Sequence, residues 1–364
     1  MSFFQNHSGW PLVPLKNIAT LKRGYDLPVG MRNKGEVPIY AANGQNGSHD
    51  EVKINGPGVI TGRSGTIGRV HYCEGGFWPL NTALYVMDFH GNHPRWVYYM
   101  LSAFKLERFS EGAGVPTLNR NLVHDELIPL PPLPEQKRIA AILDKADAIR
   151  RKRQQAIQLA DDLLRAVFLD MFGDPVTNPK GWPRKALRTL GSSITGKTPP
   201  SEKAGMWGKG TPFVTPGDLN GCIRSSAREV TEEGLANSRL CRAGGLLVCC
   251  IGATIGKVGI SESPVTFNQQ INAQEWNCEV HDIYGYFVFK ICPQLVRDGA
   301  IQTTLPILKK SLFDGIEIPV PPRAMQAKFA GIVESTLALN ERNEVALEMP
   351  VFESLSQLVF AGGL

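Results

Sequence analysis

The sequence predicts an α+β protein in which two copies of a β-rich domain are joined by two long antiparallel helices and related by a pseudo-twofold axis. Three observations carry this expectation. The 364-residue chain is written twice, short β-favouring runs fill each copy, and each copy closes on a proline-rich strap followed by a long helical stretch.

The repeat rests on three anchors. GWPLVPLKNIATLKRGYDLP at 9–28 aligns with GWPRKALRTLGSSITGKTPP at 181–200, with six identities in twenty. GTIGRV at 65–70 aligns with ATIGKV at 253–258, and IPLPPLPEQKRIAAILD at 128–144 with IPVPPRAMQAKFAGIVE at 318–334. The offsets are 172, 188 and 190, so copy two carries about sixteen extra residues between the first two anchors. A period near 180 is far beyond the roughly 20–50 residues of a solenoid unit and marks a duplicated domain. The expected division is a β-rich domain over 1–133, a helix over 134–174, a second β-rich domain over 175–323 and a second helix over 324–364.

Within each copy the order of elements is the same. A Trp-Pro entry leads into PIYAANG, GVITGRSGTIGRVHY and ALYVMDF in copy one, and into TPFVTPGDL, GGLLVCCIGATIGKVGI and INAQEWN in copy two. Such runs, rich in Val, Ile, Tyr, Phe and Thr and broken by Gly, Asn and Pro, predict strands of a mostly antiparallel unit. The weakly amphipathic segments 95–109 and 283–296 predict one helix per copy. In the strap that follows, prolines fix φ and remove donors, which predicts an extended, stiff segment.

From Glu135 to Phe172 there is no Pro or Gly. Ile139, Ala146, Ala160 and Val167 fall at one heptad position, interrupted by Arg153, and Ile142, Ile149, Ala156 and Leu163 at the other. Gly173 and Pro175 end the run. Copy two repeats the stripe with Phe329, Ile332, Val333, Thr336, Leu337 and Asn340, then Leu355, Leu358 and Val359, and Pro350 predicts a kink. Neither stripe can stand exposed, so the two helices are expected to pair. Asp144 and Asp147 are read as solvated face residues.

Apolar residues at 43% and charged residues at 20% describe an ordinary folded, soluble chain. The longest apolar run, 244–253, is half the ~20 residues of a membrane span, and the N-terminal MSFFQNHSGW lacks the charged and apolar regions of a signal peptide. A cytoplasmic protein away from membranes is expected. Seven cysteines without a CxxC pair fit reduced, buried thiols, and the seven scattered histidines offer no zinc site. The net charge of +5 is mild and evenly shared: split at residue 174, the halves hold 20 Lys+Arg against 17 Asp+Glu, and 19 against 17.

One catalytic pattern matches. GSSITGKT at 191–198 fits the phosphate-cradling G-x-x-x-x-G-K-[ST], but that loop needs a helix starting at the Lys-Thr, and Pro199 and Pro200 forbid the amides there. The other searched patterns fail: no dinucleotide fingerprint follows a strand, and no HExxH, GxSxG elbow, amino-methyltransferase box or nuclease cluster is present. What recurs is a glycine-spaced turn with cations and hydroxyls, GRSGTIGR at 62–69 and IGATIGKV at 251–258. Glycines permit close backbone approach, while Arg63, Ser64, Thr66, Arg69, Thr254 and Lys257 carry groups that donate to phosphates or base edges. Lys22, Arg23, Lys197 and Thr198 in the first anchor, and Asn81, Asn268 and Gln269 after each turn, complete the candidate DNA-binding set, Asn and Gln being bidentate readers of adenine. A tight hairpin with incidental charges explains each turn equally well, and a solvated face explains RRKR at 150–153. A duplicated protein-binding scaffold, or a self-contained nuclease or methyltransferase of unrecognised motif, stand as alternatives.

The assembly of two variable β-rich units, each closed by a P-L-P-P-L-x-E-Q-like strap and a long helix, resembles the specificity (S) subunit of type I restriction-modification systems. The likeness covers essentially the whole chain, and the G-T-I-G-[RK]-V turn is typical of that family's target recognition domains. Copy two departs from the pattern at Ala324 and Met325, where copy one has Pro134 and Glu135. The resemblance implies that each domain reads one half of a split double-stranded DNA site and that the helices set the unspecific spacer. It implies partners, two methyltransferase subunits and restriction motor-nuclease subunits, with S-adenosylmethionine, ATP and Mg on those chains and no cofactor or metal here. Ile139, Ile142, Ile149, Leu163, Val167, Phe329, Ile332 and Leu355 are the expected subunit-interface positions.

Overall fold

The computed structural model describes residues 3–112, 114–301, 305–348, 355 and 358–360. Pro350, and with it the expected kink, lies outside the described residues. The chain forms two compact units, residues 1–155 with 343–364, and residues 156–342, so each long helix is shared between units rather than standing as a segment of its own.

In unit one, β1 (Thr20–Arg23), β2 (Gly58–Gly62), β3 (Val70–Cys73) and β4 (Ala83–Asp88) form an antiparallel sheet in the order β1-β4-β2-β3. A smaller sheet pairs 37–41 with 44–49 antiparallel and with 78–79 parallel. Helix α1 (Pro94–Ala103) covers the main sheet and buries Trp96, Val97, Tyr99, Met100 and Leu101. The predicted helix over 95–109 is broken at Lys105, whose left-handed backbone separates α1 from a short 3-10 turn. The entry strand Leu12–Pro14 pairs with Leu127–Pro129, and the long helix α2 (Leu133–Phe172) follows the strap. Its 40 residues span about 60 Å.

Unit two repeats this plan. Strands β5 (Gly191–Thr195), β6 (Leu246–Cys249), β7 (Val258–Ser261) and β8 (Ile271–Trp276) take the order β5-β8-β6-β7, and 221–223 adds a parallel fifth strand beside β7. A second sheet sets 207–214 between 229–230 and 265–267, the extra residues of copy two being spent there. Helix α3 (Asp282–Ile291) takes the place of α1, Arg184–Ala186 pairs with Glu317–Pro319, and α4 (Arg323–Glu348) begins after the second strap.

The long-helix register departs from the expected heptads. The buried apolar positions are Ile139, Ala140 and Leu143 at the start of α2, and Leu164, Phe168 and Phe172 at its end. Ile149 and Leu163, expected in the buried stripe, are 51% and 53% exposed. Each end of α2 packs on the core of its own unit, and a 3.6-residue period drifts ~20° per heptad against a strict seven-residue repeat. Copy two follows the same spacing, Phe329, Ala330 and Val333 being buried where copy one has Ile139, Ala140 and Leu143. Phe329 packs edge-on against Phe168 and Phe172, with ring centres 5.4 and 5.6 Å away. Val167, Ile142 and Ile332 are half-buried, and Leu355 packs against the core of unit one.

Two aspartates expected on a solvated face of α2 are instead engaged, Asp144 partly exposed but paired and Asp147 buried. Asp144 accepts from Arg95 Nε at 2.6 Å and from the Tyr99 hydroxyl at 2.7 Å, and the Arg95 guanidinium lies over the ring of Tyr72. Asp147 is buried and paired with Arg150 and Arg151 one turn on. Asp144 belongs to the joint between helix and domain because α1 brings Arg95 and Tyr99 against it.

One buried glutamine closes each joint. Gln136 Oε1 accepts from His93 N at the start of α1 at 2.9 Å, while its Nε2 donates to Pro131 O in the strap and to Asn92 Oδ1. Gln326 accepts from His281 N at 2.7 Å and donates to Pro321 O and Glu279 O. Replacing Gln136 or Gln326 with Leu leaves an amide and carbonyls without partners in a closed interior. Each variant is expected to lose about 1–3 kcal/mol, read as a lowered denaturation midpoint of the whole chain. An unchanged midpoint would show that these bonds do not hold the joint.

Candidate nucleic-acid interface

Antiparallel pairing brings the candidate residues of each unit to one end of its main sheet. In unit one, Arg23 at the end of β1 stands opposite Leu84, and Gly62 at the end of β2 opposite Ala83, so Asn81 and Thr82 enter β4 between them. In unit two, Thr195 at the end of β5 stands opposite Asn272 and Cys249 at the end of β6 opposite Ile271, with 268–270 leading in. The matching ends carry matching chemistry.

Close backbone contact builds this end. Gly24 N donates to Ala83 O at 3.1 Å and Tyr25 N to Pro79 O at 2.8 Å; in copy two, Gly196 N donates to Ile271 O and Lys197 N to Phe267 O, both at 3.0 Å. A Cβ on Gly24 would stand 2.3 Å from Leu80 O, and one on Gly196 2.1 Å from Asn268 O, so only glycine fits either place. The segment that matched a phosphate-binding loop is therefore a strand, β5, followed by a strand-end turn with no helix at Lys197.

The glycine turn follows β2 and β6. Gly65 and Gly68 take φ of +90° and +92°, and Gly252 and Gly256 +98° and +87°. Arg63 N donates to Thr82 O at 2.8 Å, and its Nε to Asn81 O at 2.9 Å, which ties the turn to the lead-in of β4. Thr61 Oγ1 donates to Arg69 O at the far side of the turn. Beside it, burial and then the Arg69 guanidinium hold His71 below its usual pKa. Charge on that ring is disfavoured, and the cations of this edge are arginines and lysines.

The site residues divide by freedom. Lys22, Arg23 and Arg69, with Lys197, Thr254, Lys257 and Gln269, are exposed; Arg63, Ser64, Thr66, Asn81, Thr198 and Asn268 are half-buried. Asn81 Nδ2 donates to Asp26, Thr198 Oγ1 to Gln269 Oε1 at 2.6 Å, and Asn268 Nδ2 to Gln270 Oε1 at 3.0 Å. The amides are thus oriented by neighbours before any ligand arrives. Sequence reasoning missed the returning loops that prop each turn. Gly65 N donates to Pro116 O at 2.9 Å, and Gly252 N to Pro306 O at 3.0 Å. The shared PTL and PIL tripeptides at 116–118 and 306–308 were the available signal. It missed two aromatic–cation contacts as well: Lys53 lies over Tyr25 and Trp78, and Arg228 stacks 3.6 Å from the Trp207 ring centre.

Among the described residues no cluster of His, Cys, Asp or Glu could hold a metal ion, and no helix is long and apolar enough to cross a membrane. All seven cysteines are free; five are buried, while Cys222 and Cys278 are exposed.

Comparison with known proteins agrees with this geometry. The chain is 30% identical over 184 residues to the type I restriction enzyme HindI specificity subunit of Haemophilus influenzae, a match covering 47% of this chain and 39% of that one. It is 22% identical over 293 residues to the MjaIX specificity subunit of Methanocaldococcus jannaschii, covering 72% and 68%. The chain thus spans well under half the length of the first of these relatives. In fold it is similar to the S subunit of a type I restriction-modification system from M. genitalium, with a TM-score of 0.68, 16% identity and 96% of each chain covered. A chain from a structure addressing complex assembly and conformational transition of the type I R-M system is similar at a TM-score of 0.51 and 16% identity, covering 99% of this chain and 100% of that one. One family pattern, type I restriction modification DNA specificity domain, matches twice, at residues 7–159 and 179–349. With most of its length matched once per structural copy, the chain belongs to the type I restriction modification DNA specificity domain family.

Proposed function

We propose that this chain is the non-catalytic specificity subunit of a type I restriction-modification complex and that each unit reads one half of a bipartite double-stranded DNA site. The observation that carries the reading is repetition of chemistry as well as fold. At the same end of the same four-strand pattern, each unit presents a glycine turn, exposed cations and pre-oriented Asn or Gln amides. Cations neutralise phosphates whatever the sequence, whereas amides held in place discriminate base edges. Two such readers in one chain do what dimeric DNA-binding proteins achieve by symmetry.

In this reading α2 and α4 set the spacer and dock two methyltransferase subunits, and restriction motor-nuclease subunits join for cleavage. S-adenosylmethionine, ATP and Mg2+ belong to those partners, and the complex works in the cytoplasm. The exposed apolar residues of the long helices, Ile149, Leu159 and Leu163 on α2 and Leu337 and Leu339 on α4, are the surface that supports docking.

The deciding experiment exchanges residues 10–125 for the equivalent domain of another specificity subunit and maps methylated motifs in genomic DNA. One half of the motif is expected to change and the other to persist; a change in both halves, or in neither, sinks the two-reader proposal. Ile149→Asp is expected to leave thermal melting unchanged, since the residue is half in solvent, yet to weaken methyltransferase assembly by roughly 2 kcal/mol or more. Assembly at full strength would remove α2 from the docking surface. Four residues inserted near Gln155 lengthen α2 by ~6 Å in about one turn. DNA rises ~3.4 Å per base pair, so the preferred spacer is expected to grow by one or two base pairs with both half-sites unchanged. A two-residue insertion rotates one end by ~200° and is expected to inactivate the complex. Methylation of a library with randomised spacer lengths measures both, and an unaltered spacer with activity retained would take the ruler role from the helix.

A further inference from the structure

The returning loops repeat an exposed apolar residue. Val115 is 65% exposed and Leu305 52% exposed, and they are 190 residues apart, the offset of the strap anchors. Each precedes the proline whose carbonyl accepts from the glycine turn, at 2.9 Å from Gly65 N and 3.0 Å from Gly252 N. Short bridges complete the support, Ser64 with Thr117 in one unit and Ile251 with Ile307 in the other. Two residues past each proline the chain is pinned to the core: Leu118 and Leu308 are buried, and their amides donate to Arg63 O and Cys250 O at 2.8 Å.

Both apolar side chains stand more than half exposed at matching places in the two units. A residue before proline is restricted to extended backbone, so each side chain is presented from a stiff support. Around the tips the turns carry Arg63, Arg69 and Thr66 in unit one, and Thr254 and Lys257 in unit two, where Arg297 Nε also donates to Ile255 O at 3.2 Å. A single exposed apolar residue on a loop bonded to a cation-bearing turn suits a duplex groove, where phosphates meet the charges and a thymine methyl or the edge of an opened base step meets the hydrocarbon. A protein partner would instead match a wider apolar patch.

We propose that Val115 and Leu305 are apolar specificity-determining contacts to DNA, one in each half-site. The inference rests on the DNA-reading function proposed above and adds the residues that read by shape and hydrocarbon rather than by hydrogen bonds.

The test uses the full complex with its methyltransferase subunits. Val115→Ser and Leu305→Ser are assayed separately on a DNA library varied through both half-sites, alongside the 10–125 exchange. Val115→Ser is expected to lose discrimination by about fivefold to tenfold at one or two positions of one half-site, and Leu305→Ser to do so in the other half only. Subunit assembly, thermal melting and affinity for non-specific DNA stay unchanged. Base preferences that are unaltered in both variants overturn the proposal, as does loss of methyltransferase assembly, which makes the tips protein contacts. If the exchange changes one half of the motif while the serine variants change nothing, the tip proposal fails alone. If the exchange changes nothing either, the DNA-reading function fails with it.

Discussion

A buried glutamine side chain at the start of each long helix is the contact on which the rest of the geometry depends. Gln136 and Gln326 each bond to the strap behind them and to the first amide of the domain's covering helix. The long helix, the strap just before it and the start of a covering helix more than forty residues earlier are therefore fixed by one amide group whose donors and acceptor are all used. The interaction is made almost wholly to backbone atoms. The side chains of a β-rich unit can therefore change without disturbing it.

The charge pair at Asp144 serves the same joint about two turns further along α2. Arg95 is held by Asp144 and stacked on Tyr72, Tyr98 and Tyr99, a partly shielded setting in which an ion pair and an aromatic face act on one guanidinium. Unit two solves the same problem more lightly: Lys290 reaches Asp161 at 2.9 Å over the rings of Tyr286 and Phe287. Both arrangements orient a long helix against its domain, and both use aromatic residues that a hydropathy pattern records only as apolar.

Much of this was legible in the sequence. Duplication, strap and long helix follow from identities at fixed offsets and from a run without Pro or Gly, since those signals are local. The strand ends that converge at the glycine turns were legible as motifs, though their meeting depends on strand order. The buried face of α2 was misjudged because a heptad template assumes one partner along the whole helix. Leu164 and Phe168 answer to a different core from Ile139 and Leu143. Asp144 was misjudged for a related reason, as its partners Arg95 and Tyr99 are brought by tertiary packing, and Asp147 because it is buried while its partners Arg150 and Arg151 lie on its own helix. The returning loops at 116–118 and 306–308 were overlooked because their importance lies in backbone bonds, which leave little trace in composition.

The close approach at Gly24 and Gly196 has a consequence for how such a protein could acquire new targets. Both positions hold two strand ends at backbone contact distance, where any side chain would force them apart. The spacing between the cation at the end of one strand and the amide that leads into the next is thereby a fixed length. Variation at this edge is confined to which groups hang from a rigid frame, much as movable type changes the letter but not the line height. Under the proposed DNA-reading function, a shift in target is then a matter of substitution at a few exposed positions, open to single-residue steps that leave the frame in place.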